Sequence, residues 1–235
     1  MYKLEMHLHT IGRSPCAQVD EKTIAALYHE QGYDGIVCTN HYNRWLCENY
    51  YKKPTAKENT AFFIEGYETL KKECAPYGID VFFGIELLLD CLTYYKQDPP
   101  KAELLVYGIS PEWLLAHPTD LFLLSPAELF ALCKKENWLL CHAHPFRDGI
   151  DTQDPQYLEG CEVFNGNPYL NNHNPDSLAF AEKNGLLYTA GSDFHTTEGI
   201  GCGVFLQNPV KTNEELVAEL RKREHIVFKR PNATD

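Results

Sequence analysis

Leu4-Glu5-Met6-His7-Leu8-His9-Thr10 opens the chain, and its meaning depends on period. Along an extended strand alternate side chains share a face, so His7 and His9 present two imidazoles together, about one strand repeat apart. Two imidazoles can reach one cation, but a metal site needs further ligands. The chain supplies them at equivalent places: His41, Glu86, His142, His144, Asp193 and His195 each lie at or just past the end of a strand-like run.

Those runs are Lys3–His9, Asp34–Asn40, Asp80–Glu86, Leu104–Ile109, Trp138–His144, Cys161–Asn165 and Leu187–Asp193. Most are short and apolar, as strands buried on both faces should be. Helical patterns separate them. Asp20 caps one that runs to Gly32, Lys57 to Tyr77 forms a long one, and Ser125-Pro126 opens one reaching Asn137. Asn174-Pro175 opens another that ends near Gly185, and Thr212 to Glu224 is the last, followed by a short strand, His225–Phe228. Strands alternating with helices predict a parallel sheet with right-handed crossovers and a site at the strand C-termini. Ligands from the first and seventh strands must converge, and the edges of an open sheet stand too far apart for that. The expected fold is therefore α/β, a distorted (β/α)7 TIM-like barrel, with residues 1–235 as one domain. Gln97-Asp98-Pro99-Pro100 reads as a loop between strands.

The composition, 44% hydrophobic and 23% charged over 235 residues, is that of a globular protein. A net charge of -12 argues against nucleic acid as the main partner, because phosphate backbones select Lys/Arg surfaces. It leaves room for a small phosphorylated substrate, since bound cations invert the local field. Nine cysteines are scattered singly with no CxxC, and no run of about 18 apolar residues occurs. These features predict free, mostly buried thiols, a reducing cytoplasmic setting and no membrane span.

Six of the ten histidines lie at the predicted strand ends, with Glu86 and Asp193 in matching places. Burying so many ionisable groups together without a cation costs several kcal/mol each. His with Asp/Glu suits Zn²⁺, Mn²⁺ or Fe²⁺, and the surplus of ligands suits two or three divalent ions sharing a carboxylate. His142 shares a strand face with His144, as a further ligand or as a group hydrogen-bonding one. Arg147 is the first candidate for binding phosphate, since a guanidinium fork matches phosphate oxygens; Arg13 and Arg44 are secondary candidates. Tyr42, Trp45, Tyr50 and Tyr51 either wall a pocket or pack, and the Asn-rich loop around His173 either lines the pocket mouth or is turn chemistry.

His7-Leu8-His9-Thr10, Thr39-Asn40-His41, Gly84-Ile85-Glu86, Ala143-His144-Pro145-Phe146-Arg147 and Gly191-Ser192-Asp193-Phe194-His195 resemble, in order, the motifs of the PHP family. That is the polymerase and histidinol phosphatase superfamily of metal-dependent phosphoesterases. The resemblance implies the seven-stranded barrel, a bi- or trinuclear centre and hydrolysis of phosphomonoesters. It implies that His7, His9, Glu86 and Asp193 hold one ion, and that Glu86 bridges to a second held also by His144. His41 and His195 would hold a third, or the second of a binuclear site. His195, Asp193 and Arg147 carry the implied catalytic roles, with His195 or His144 as candidate proton donors to the leaving group.

The chain departs from the family at three places. Cys16 stands where many members place a metal-contacting Asp or His, as a soft ligand or a plain loop thiol. Asn40 replaces an Asp. Near the fourth strand, where many members carry a His, Glu103 starts the strand and Ser110 ends it, and neither is an evident equivalent. Two other readings stay open: a carbon–nitrogen hydrolase of the amidohydrolase kind, which also opens with His-x-His, and a degenerate, non-catalytic PHP domain.

Overall fold

In the computed structural model, residues 1–92 and 102–230 are described; the Gln97–Pro100 stretch lies outside them. The strands are β1 (Tyr2–Leu8), β2 (Gly35–Cys38), β3 (His41–Tyr42), β4 (Asp80–Leu87), β5 (Leu104–Tyr107), β6 (Leu139–His142), β7 (Gly160–Asn165), β8 (Leu187–Gly191), β9 (Gly203–Leu206) and β10 (Ile226–Phe228). The helices are α1 (Glu21–Glu30), α2 (Ala56–Cys74), α3 (Pro111–Ala116), α4 (Pro126–Lys135), α5 (Asn174–Asn184) and α6 (Asn213–Arg221). The predicted caps form: the Asp20 carboxylate accepts from Thr23 N–H, and Ser125 and Glu128 make a reciprocal capping box.

The strands make one sheet in the order β10-β9-β1-β2-β4-β5-β6-β7-β8, with β3 beside β4. Phe194, just past β8, closes most of the circle. Its N–H donates to His7 O at 3.2 Å, and its carbonyl accepts from His9 N–H at 3.2 Å. The barrel expected from converging first and seventh strands is present. Gly191 permits the approach, because a Cβ there would lie 2.4 Å from His7 Cβ.

The sheet is not wholly parallel, which corrects one expectation. β5 runs antiparallel to both β4 and β6. A parallel return needs a crossover, usually a helix. Between β4 and β5 the described residues hold only a single helical turn, Asp90–Leu92. β9, which the patterning did not predict, pairs antiparallel with the first half of β1.

Two irregularities in strand register re-aim side chains. One lies between Glu5 and Leu8 in β1, the other between Glu162 and Phe164 in β7. Leu4 and Met6 pack with Val37, Phe82, Leu105 and Leu139 inside the barrel, above α6, whereas Leu8 packs in the helix-covered outer layer. Strict alternation would place His7 and His9 opposite Leu4 and Met6. The bulge shifts the phase, so Met6 fills the barrel and the histidines still face its mouth.

Candidate metal centre

Side chains from β1, the β2–β3 corner, β4, the start of β5 and the turns after β6 and β8 meet at the barrel mouth. Glu86, fully buried on β4, is the hub. Its Oε1 lies 3.0 Å from His144 Nε2 and 3.3 Å from His7 Nε2; its Oε2 lies 2.6 Å from His41 Nδ1 and 3.4 Å from His9 Nε2. Asp193 Oδ1 lies 3.1 Å from His9 Nε2 and 3.5 Å from His7 Nε2. Two of these residues adopt left-handed backbone, His144 at φ 26° and Asp193 at φ 46°. Such strain is held where a fold over-determines the geometry, as at binding sites.

Among the described residues, three groups place their ligand atoms within 4.8 Å of one another: His7/His9/Glu86, His41/Glu86/Glu103 and His9/His41/His195. His7 Nε2 is buried without a hydrogen-bond partner, and Glu86 Oε2 has only the His41 imidazole beside it. Buried imidazole and carboxylate atoms crowded together in this way fit divalent cations.

The electrostatics follow from crowding. Burial pushes the Glu86 carboxyl up, but His41 and His7 outweigh it and hold it well below the usual range. Asp193 is likewise held low against burial, by Arg147, His7 and His195. Burial lowers the His7 imidazole, yet Glu162, Glu86 and Asp193 overcome this and raise it. His9 is driven well down, by burial first and then by its neighbours His41 and His195.

Glu103 lies in the cluster although the sequence reading found no equivalent there. Because β5 is reversed, its first end rather than its last faces the mouth, and Glu103 Oε1 lies 3.4 Å from His41 Nδ1. Ser110 is carried to the opposite end, where its hydroxyl caps α3 by accepting from Trp113 N–H. Glu162, also missed, takes the orienting part considered for His142. It accepts from His7 Nδ1 at 2.9 Å, from His144 N–H at 2.9 Å and from Asn165 Nδ2 at 2.9 Å. The available signal was a charged residue inside an otherwise apolar strand. His142 stays out of all three groups. Its Nδ1 faces Ala143 O, and burial lowers its pKa to about 4.

Arg147 reaches the cluster. Its Nη2 donates to Asp193 Oδ2 and to Asn165 Oδ1 at 3.2 Å, and its Nε donates to Asn172 Oδ1 at 2.8 Å. Arg13 and Arg44 do not. Arg13 donates to Phe62 O and pairs with Glu65 on α2; Arg44 pairs with Asp90 and Glu48. Asn40 serves the loop, accepting from Thr10 N–H and Ser14 Oγ, and that hydroxyl bonds His9 Nδ1. The aromatic run divides: Tyr42 and Tyr51 are buried packing, while Trp45 and Tyr50 are exposed. His173 is tied to Asp148 and Asn171 outside the cluster. The Asn-rich loop lines a cavity of about 370 Å³, to which Asn165 and Asn172 also belong.

None of the nine cysteines is in a disulfide, and seven of them are buried. Among the described residues no helix is long and apolar enough to cross a membrane.

Residues 171–225 match the PHP-associated family. No curated protein matches the chain by sequence. Solved structures share the fold, among them the following three. A two-domain Bacteroides vulgatus protein containing a predicted PHP-like metal-dependent phosphoesterase is 15% identical, with a TM-score of 0.64, covering 97% of this chain and 65% of that one. A lesion-specific endonuclease from Pyrococcus furiosus is 11% identical, with a TM-score of 0.60, covering 96% of this chain and 57% of that one. An amidohydrolase from Chromobacterium violaceum, solved with sulfate and no metal, is 14% identical, with a TM-score of 0.55, covering 99% and 100%. The chain thus spans under two thirds of the first two proteins.

Proposed function

We propose that this chain, a member of the PHP superfamily, is a metal-dependent hydrolase of small phosphomonoesters. One juxtaposition carries the reading: Asp193 bridges the ligand cluster, through His7 and His9, to the half-buried guanidinium of Arg147. Divalent ions at such a centre supply an activated water and neutralise charge on the phosphoryl group. His7, His9, Glu86 and Asp193 would hold one ion. Glu86, Glu103, His41 and His144 would hold the second, and His195 belongs to the outer edge of the cluster. Arg147 orients the phosphoryl oxygens. Asn165 and Asn172, which accept from Arg147, also line the neighbouring Asn165–Asn174 cavity. Of the two candidate proton donors, His144 Nε2 faces Glu86 and His195 Nε2 faces Cys16.

We assign residues 1–235 to one domain, and nine cysteines outside any disulfide support a reducing, cytoplasmic setting. The net charge of -12 favours a small substrate over a nucleic acid. Likeness to an endonuclease and an amidohydrolase makes a phosphodiester and a cyclic amide the necessary comparison substrates. In a panel of phosphomonoesters (histidinol phosphate, nucleoside monophosphates, sugar phosphates, phosphotyrosine), hydrolysis is expected to disappear on chelation and return with Mn²⁺ or Zn²⁺. Full activity after exhaustive chelation, or turnover of the amide alone, overturns the proposal.

Arg147→Ala is expected to reduce kcat/KM about 10- to 100-fold, mainly through KM, the worth of one or two charge-assisted hydrogen bonds. Arg147→Lys recovers only part, since it restores the charge without the fork. Steady-state kinetics with metal analysis check this; an unchanged KM counts against a phosphate-binding role.

A further inference from the structure

We propose that Asn172, together with Asn165, is a positioning residue for the phosphoryl group: the two amides hold the Arg147 guanidinium in place without neutralising it, so its charge stays available to a phosphoryl dianion. The proposal rests on Arg147 binding phosphate. Arg147 Nε donates to Asn172 Oδ1 at 2.8 Å, and its Nη2 donates to Asn165 Oδ1 at 3.2 Å and to Asp193 Oδ2. Its Nη1 makes no hydrogen bond with the described residues, which leaves the two N–H groups of that nitrogen for a ligand.

Both acceptors are themselves fixed. Asn172 and Asn165 are 5% and 2% exposed. Asn172 Nδ2 donates to the carbonyls of Asn165, Asn167 and Leu170 at 3.3, 3.4 and 3.3 Å. Asn165 Nδ2 donates to Glu162, the carboxylate that also takes His144 N–H and faces His7 Nδ1. Only an amide serves both ends, accepting from Arg147 and donating to its surroundings. The next residue ties the same two loops together: Asp148 N–H donates to Asn171 O, and its carboxylate faces His173. Charge separates this guanidinium from two others. Arg44 and Arg221 direct Nε to carboxylates, those of Asp90 and Glu159. A carboxylate there offsets the charge that a phosphate would use, whereas an amide carbonyl orients the group and leaves the charge in place. The one carboxylate on Arg147, that of Asp193, also stands 3.1 Å from His9 Nε2 among the candidate ligands, where a cation would share it.

The test is a double-mutant cycle on the Mn²⁺-loaded protein, read by calorimetric binding of inorganic phosphate and by kcat and KM for a phosphomonoester. Asn172→Ala is expected to weaken phosphate binding and raise KM about 10-fold, the lower end of what a hydrogen bond to a charged group is worth, with kcat and metal content kept. In the Arg147→Ala background the same substitution is expected to change either by less than about twofold. Asn171→Ala, whose side chain bonds only His173, is expected to match the native protein in both. Unchanged phosphate binding in Asn172→Ala overturns the assignment. So does a loss that persists in full in the Arg147→Ala background, because it then comes from the loop and not from the guanidinium. Arg147→Ala without effect on phosphate binding removes the phosphate-binding role and this proposal with it. Phosphate binding that follows the cycle, with no phosphomonoester turned over, keeps the positioning role and removes the phosphatase reading.

Discussion

Glu86→Gln is expected to lower kcat/KM at least about 10³-fold, some 4 kcal/mol of transition-state stabilisation, and to strip the protein of most of its bound metal. Glu86 lies within 3.4 Å of four imidazoles and contributes to two of the three ligand groups, so each of its oxygens serves a different part of the centre. Glutamine preserves the shape but replaces one anionic oxygen with an NH₂ that cannot ligate. The remaining oxygen is neutral and reaches one side only. The substitution also removes one of the carboxylates that raise the imidazoles: His41 loses its strongest partner, while His7 keeps Glu162 and Asp193. Steady-state kinetics and elemental analysis of the purified variant decide. Near-native kcat/KM at full metal content would remove Glu86 from its bridging place.

The second large effect is a pH dependence of stability set by Glu5. This carboxyl is fully buried on β1 behind His7. It accepts from His7 N–H at 2.9 Å, Ser192 N–H at 2.8 Å, Tyr28 O–H at 2.9 Å and the Ser192 hydroxyl. It thereby clips β1 to the turn carrying Asp193. Burial pushes its pKa up to about 7 despite the donors from Ser192, His7 and Tyr28. In the unfolded chain the group titrates near its ordinary value, about 4.3. Between those values the folded state holds the proton and the unfolded state does not, so stability falls as pH rises through that window. The loss approaches about 3 kcal/mol above pH 7. Glu5→Gln keeps a neutral group in the same place, so its stability relative to native should rise by about that amount from pH 4.5 to pH 8. Urea unfolding of both chelated proteins across that range measures it. A difference that stays flat with pH rules out Glu5 as the source.

The legible part of the site was local. His7 and His9 share a face because strand geometry repeats every two residues, and Asp20, Ser125 and Thr212 announce their helices by capping chemistry that spans three residues. Convergence of the first and seventh predicted strand ends was also readable, since His7, Glu86 and Asp193 can share a cation only if the sheet curls round on itself. The direction of a strand is a different matter, because it depends on how the chain returns. Glu103 looked like the wrong end of β5 until the antiparallel pairing with β4 turned that end toward His41.

The same holds for side chains whose partners are distant in sequence. Arg13, Arg44 and Arg147 all follow site motifs and are alike as residues. Tertiary contacts commit Arg13 to Glu65, Arg44 to Asp90 and only Arg147 to Asp193. The amino-acid order alone marked most of the helices and strands and most of the candidate ligands at strand ends, because caps and strand period act over a few residues. Tertiary structure alone decided which of those ends meet. A reversed strand, two bulges and the competition for each guanidinium are settled by packing between segments up to about 190 residues apart, which no local pattern encodes.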